Sequence, residues 1–214
     1  PWLREVERIQ LIRIRSQEQT QDRHWILGVP VDALDLDGVL ARTSDWLCEP
    51  DLGLRHVVTV NPEFIVAARR SPRFRWVLNQ AALATPDGVG VILAARLLKL
   101  PIRTRVTGVE LVNGWAKLEH PELRIFLLGA AEGVASEAAC TLRSQYPGVQ
   151  IVGVHAGSAR PDGFNAIAMA LEAAKPTMLL VAFGHPRQDL WIAAHREWLT
   201  DHGILIAAGV GGTF

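Results

Sequence analysis

The chain is 214 residues long, 49% apolar and 21% charged, enough for one medium domain with a real core and the wrong balance for a disordered segment. Lys plus Arg matches Asp plus Glu at 22 each, so no global field directs the chain to nucleic acid. Cys48 and Cys140 are isolated, which suits a reducing cytoplasm and argues against a zinc site, and no apolar run approaches the roughly 20 residues that span a bilayer.

Residues 1–24 mix Arg4, Arg8, Arg13 and Arg15 with Trp2, Leu3, Val6, Ile9 and Ile12. They read as a solvated arm or extra helix, or else as a basic amphipathic segment touching anionic lipid. Glu5, Glu7 and Glu18 dilute the charge and favour the first reading. Nothing here resembles a signal peptide, and the start at Pro1 and stop at Phe214 read as trimmed ends.

From Trp25 strands and helices alternate. Trp25–Val29 reads as a strand, Asp37–Leu47 as a helix, and Arg55–Val60 as a Val-rich strand. Short helices follow over Pro62–Arg70 and Pro72–Gln80, then a strand at Ala81–Thr85 and an apolar helix at Val89–Leu98. Gly108–Glu119 is helical, Arg124–Leu128 a strand, and Gly133–Gln145 an Ala-rich helix. Strands at Val149–Val154, Thr177–Phe183 and Ile204–Ala208 are separated by helices at Asp162–Ala174 and Pro186–Leu199. This alternation predicts right-handed βαβ units: an α/β fold with a mainly parallel, Rossmann-like sheet and helices on both faces. No internal repeat or linker appears, so a division near residue 120 would separate subdomains 25–120 and 121–214 of one unit.

Ligands of open α/β sheets bind at the carboxyl ends of strands, and the polar residues of this chain collect at those turns. Gly184-His185-Pro186-Arg187-Gln188-Asp189 follows the strand that ends at Phe183. Gly184 allows close backbone approach, and Gln188 offers both a donor and an acceptor. Thr59-Val60-Asn61-Pro62-Glu63 ends the Val-rich strand, where Asn61 also suits a capping turn. Thr85-Pro86-Asp87-Gly88-Val89-Gly90 makes the next strand-to-helix turn. By position alone Asp87 is equally a helix N-cap and a substrate-facing acid, whose pKa burial beside Val89 and Val91 would raise. Arg105 lies in Arg103-Thr104-Arg105, a few residues before Gly108 opens a helix, and by pattern alone is a solvated arginine. Gly129-Ala130-Ala131-Glu132-Gly133 lacks dinucleotide-fingerprint spacing but would admit a nucleotide at a helix start. Gly209-Val210-Gly211-Gly212-Thr213-Phe214 closes the chain, with Gly211, Gly212 and Phe214 as a further pocket wall.

Taken in order, these segments resemble the bacterial WecG/TagA/CpsF glycosyltransferases, from about Ile26 to the last residue. The resemblance implies an inverting transferase that needs no metal or other cofactor. It would move N-acetylmannosamine, its uronic acid or glucose from a UDP-sugar to a polyprenyl-diphosphate-linked saccharide in cell-surface polysaccharide synthesis. Asp87 becomes the catalytic base, and Arg105, with amides near Gly108, the group that stabilises the departing diphosphate. Thr59 and Asn61 would line the donor-sugar pocket. Gln188 would touch sugar or phosphate, with Gly129, Gly184 and Gly211 as close-approach positions. The family motif ends G-x-P-x-Q-E, whereas this chain has Asp189 in the last place. The family also continues past the final Gly-Gly with an acidic residue and a basic tail, implying peripheral contact with the inner face of the cell membrane. Homo-oligomerisation is left open.

Asp35-Leu36-Asp37 matches the D-x-D that holds a metal-diphosphate in other glycosyltransferases, but its place favours an N-cap and a first-turn acid. The seven histidines show no i, i+4 pairing, which disfavours a histidine metal site, and His185 reads as a loop residue. Two other functions compete. A UDP-sugar epimerase would need a second acid or base opposite Asp87, and none is apparent. A non-catalytic nucleotide-sugar binding module would need no such partner.

Overall fold

A computed structural model describes residues 22–49 and 53–214. The expected arm falls almost wholly outside the described residues. The described part of the chain opens with a hairpin of β1 (Arg23–Ile26) and β2 (Val29–Asp32), paired antiparallel, where the sequence suggested a single strand over Trp25–Val29. Leu27 and Gly28 both have positive φ, 50° and 80°, the two-residue turn that matches strand twist. The signal was hard to read because Leu, not Asn or Asp, precedes the glycine.

The rest is the anticipated α/β fold. Strands β3 (Arg55–Val60), β4 (Leu83–Pro86), β5 (Ile125–Gly129), β6 (Ile151–His155), β7 (Met178–Ala182) and β8 (Ile206–Gly209) form one six-stranded sheet. Its order is β4-β3-β8-β7-β5-β6, and every pairing is parallel. The last strand therefore lies between the first and second halves of the chain, against β3 on one side and β7 on the other.

Strands β3, β4, β5, β7 and β8 are buried on both faces, with alternate residues feeding opposite cores, while the edge strand β6 is only partly covered. On one face Val57, Leu83, Ile125, Met178 and Ile206 pack beneath α1 (Leu36–Leu47), α5 (Gly108–Lys117) and α6 (Val134–Gln145). On the other, Val58 and Ala84 meet the hairpin, α2 (Pro62–Arg70), α3 (Pro72–Asn79) and α4 (Val89–Leu97). Phe126, Leu179 and Ala207 extend that face toward α7 (Phe164–Ala174), α8 (Arg187–Ala194) and α9 (Arg196–Asp201). The continuous helix expected over Pro186–Leu199 is broken at His195, whose ring lies 2.8 Å from the Trp191 carbonyl and stacks on Phe164.

The hairpin is tied to the sheet by charge. Asp32, only 1% exposed, accepts from Arg23 Nε at 2.8 Å and from the Ala84 amide at 2.7 Å. Arg23 also donates to the carbonyls of Ala81 and Ala82. These bonds satisfy both oxygens of Asp32 and offset the cost of burying its charge. The clamp fixes β4, the strand that carries Asp87 at its end.

Candidate active site

Asp87 lies immediately after β4, and its amide donates to the Val60 carbonyl at 2.7 Å, which ties the ends of β3 and β4 together. The alternative reading as an N-cap fails on geometry. The cap of α4 is Gly88, with φ of 100°, and no side chain supplies its hydrogen bond. Asp87 is therefore not spent on capping its own helix, and its carboxylate instead meets the Gly108 amide.

Two turns hold its surroundings. A Cβ added at Gly90 would come within 2.7 Å of Pro62 Cγ, so the start of α4 sits directly on the start of α2. Asn61 caps α2, its Oδ1 accepting from the Phe64 amide at 3.0 Å, which brings Asn61 beside the Asp87-Gly88 turn. The Val106 amide donates to the Pro86 carbonyl at 2.9 Å, laying the segment that contains Arg105 across the end of β4. The exposed Arg105 is thereby close enough to the Asp87 carboxyl to act on it through its charge.

Burial pushes the Asp87 carboxyl above its ordinary value, and Glu110 adds to that. The Gly108 amide and the Arg105 guanidinium pull it back down. Val89 does not contribute the burial expected from sequence, because it is 71% exposed; Val91 is fully buried. Glu110 is itself held low by the backbone and side chain of Thr107, with which it forms a capping box at the start of α5.

The glycines link this corner to the end of the chain. A Cβ on Gly108 would lie 2.8 Å from Thr213 Oγ1, so only glycine lets α5 begin against the final turn, Gly211–Thr213. Gly211 donates its amide to Gln188 Oε1 at 3.0 Å, and Thr59 Oγ1 donates to the Gly209 carbonyl at 3.4 Å. Thr59, Asn61, Asp87, Arg105, Gly108, Gln188 and Gly211 are therefore linked around the carboxyl ends of β4, β3 and β8. Within that group Gln188 is only 1% exposed and braces the Gly209–Gly211 turn from behind.

Gly129 and Gly184 lie farther along the same edge. Gly129 ends β5, four strand positions from β4, or on the order of 19 Å at the usual spacing. Its φ is 104°, and a Cβ there would stand 2.8 Å from the Ala182 carbonyl. Gly184, with φ of 74°, follows β7 and sits near the Arg187 guanidinium. Between α5, α6 and the last residues lies a cleft of about 440 Å³, lined in part by Val109, Asn113, Val134 and Phe214.

Sequence inspection missed His56. On β3 and 1% exposed, it places Nε2 3.2 Å from Oδ1 of the fully buried Asp189. The two atoms are at hydrogen-bond distance and share one proton between ring and carboxyl. A histidine leading into a run of valines in a buried strand was the available signal. Asp35 and Asp37 prove to be a helix start, Asp35 accepting from the Gly38 amide at 2.9 Å. Among the described residues no three His, Cys, Asp or Glu side chains converge as a metal site.

A parallel α/β sheet with an acid, an arginine and helix amides at its carboxyl edge has its polar groups where ligands of such sheets bind. The sequence profile of the glycosyl transferase WecG/TagA/CpsF family matches residues 24–214, and the chain belongs to that family. It is similar to an N-acetylglucosaminyldiphosphoundecaprenol N-acetyl-beta-D-mannosaminyltransferase of Bacillus spizizenii, 31% identical over 159 residues. That match covers 74% of this chain and 60% of the relative, so the chain spans less than two thirds of that protein's length. A Staphylococcus aureus protein of the same name is 29% identical over 189 residues, covering 88% of this chain and 72% of its own.

Proposed function

We propose that this chain carries the catalytic centre of a glycosyltransferase that moves N-acetylmannosamine from a UDP donor to a polyprenyl-diphosphate-linked N-acetylglucosamine. The donor and acceptor follow the names of the relatives; the chemistry follows from the residues. The observation that carries the reading is the pairing of Asp87, its pKa raised by burial, with Arg105 and the amide of Gly108 at the sheet's carboxyl edge.

In this reading an acceptor hydroxyl approaches Asp87, which takes its proton as the oxygen attacks the anomeric carbon. The bond from that carbon to the diphosphate oxygen breaks, and its electron pair leaves with UDP. Arg105 and the first amides of α5 stabilise the charge that builds there, the role a metal fills in other transferases. One displacement inverts the anomeric configuration. Thr59 and Asn61 shape the sugar site, Gly129, Gly184 and Gly211 let backbone approach the nucleotide, and Gln188 holds the Gly211 turn in place. The two sheet halves, about 25–120 and 121–214, then contribute base and nucleotide cradle respectively.

The test is incubation of the chain with UDP-N-acetylmannosamine and a short-chain lipid-diphosphate acceptor, with chelator present. Acceptor-dependent UDP release supports transfer without metal. Interconversion of the donor alone would indicate an epimerase, and saturable binding without turnover a binding module. Either result overturns the proposal.

A further inference from the structure

Helix α4 starts beside Asp87 and is amphipathic in an unusual sense. Val91, Ile92 and Ala95 face the core, yet the outward face is also apolar. Val89, Leu93 and Leu97 are 71%, 57% and 77% exposed and stand at i, i+4 and i+8, one line along the helix. Leu98, at 53%, extends it. Scattered exposed leucines mean little, but a continuous line on one short helix is a surface with a purpose.

Along the helix and the segment that follows it, the charges have one sign, with Asp87, Glu63 and Glu110 confined to the ends nearer the site. From Gly88 to Val109 the sequence contains Arg96, Lys99, Arg103 and Arg105 and no Asp or Glu. All four cations are exposed. In a chain whose net charge is zero, this local excess stands out. An apolar stripe bordered by cations fits an anionic bilayer surface: leucines enter the acyl boundary while arginine and lysine meet phosphate headgroups. A protein partner of ordinary composition would leave the cations without matching charge.

We infer that α4 and the segment after it, through Arg103, form a docking face for anionic phospholipid, which sets Asp87 against the membrane plane. The choice of a membrane rests on the proposed lipid-linked acceptor. Such an acceptor keeps its diphosphate at headgroup depth, and the turn at Asp87-Gly88 lies one residue from the first exposed valine of the stripe. The helix would thus position the base where the acceptor sugar emerges, independently of any other membrane contact in the protein.

Sedimentation with vesicles tests this without depending on catalysis. The chain is mixed with vesicles of phosphatidylglycerol and phosphatidylcholine, or of phosphatidylcholine alone. Binding to the anionic vesicles only, weakened by salt, is expected. A double variant, Leu93→Glu with Leu97→Glu, should abolish it. A second, Arg96→Glu with Lys99→Glu, should weaken it by at least about fivefold for each cation removed. The substituted side chains are exposed, so both variants should keep wild-type circular dichroism and UDP affinity. Absence of anionic-vesicle binding by the wild type, or full binding by either folded variant, overturns the inference. So does a wild-type dimer that the leucine variant converts to monomers without altering vesicle binding, since the stripe would then be a contact between copies. Loss of transferase activity alone would bear on the proposed function and leave the vesicle result standing.

Discussion

His56 and Asp189, 133 positions apart in sequence, meet in the interior with Nε2 3.2 Å from Oδ1 and almost no solvent on either side chain. The pair joins β3 to the first turn of α8, directly behind the glycine turn that follows β8. A Cβ added to Gly209 would lie 2.7 Å from Asp189 Oδ1 and 2.6 Å from Gln188 Nε2, so aspartate, glutamine and glycine fit as one unit. This gives the carboxylate at the end of the Gly184–Asp189 motif a concrete partner and makes it a positioning group.

Replacing Asp189 with Leu should therefore leave a buried imidazole nitrogen without its partner and cost about 1–3 kcal/mol. Asp189→Asn retains an acceptor oxygen and should cost less. Urea unfolding of the two variants measures the difference. Equal stability of the leucine variant and the wild type would show that the contact contributes nothing.

Gly209→Ala should also destabilise, by about 1–3 kcal/mol, because the added methyl meets two buried side chains. The loss should be smaller in the background of Gln188→Ala, which clears part of that space. Thermal melts of the single and double variants form the cycle, and strict additivity would contradict the packing described.

Much of the fold was legible because burial pattern and strand length agree in parallel sheets. Arg55–Val60 and Pro62–Arg70 have the ends expected from sequence, fixed by a Val-rich run and then by the Asn61-Pro62 cap. The hairpin was not legible, since its Leu27-Gly28 turn carries a weak signal and Asp32 owes its place to Arg23 across the pair. At the site, the chain order exposed Asp87, Asn61 and the glycine turns. It could not show that Gly88 takes over the cap and leaves Asp87 to meet the Gly108 amide instead. Nor could it show His56 opposite Asp189, because long-range contact has no periodicity to betray it.

Asp87→Asn should raise stability at neutral pH. Its folded-state pKa lies above the ordinary 3.8, chiefly through burial, so the folded protein holds the proton more tightly than the unfolded chain. Stability is then lost as pH rises from the ordinary value through the raised one. The variant escapes that loss. Melting temperatures should diverge above this window and converge below pH 3.8. A variant less stable than wild type at neutral pH would mean that the carboxylate is a structural anchor.

Neighbouring charges should move the acid limb of activity in opposite directions. Arg105 lowers the Asp87 pKa and Glu110 raises it. Arg105→Ala should thus shift the limb of kcat/KM to higher pH and weaken UDP binding. Glu110→Gln should shift the limb to lower pH, and calorimetry should find its UDP binding no weaker. Identical limbs in all three proteins would separate Asp87 from the titration that governs turnover.

The central claim is that Asp87 is the base of a sugar-transfer step. Its most direct test is acceptor-dependent UDP release by Asp87→Asn against wild type, with donor affinity measured in parallel. The account predicts unchanged folding and donor binding with turnover reduced by about 100-fold or more. Near-normal turnover in the asparagine variant would contradict it.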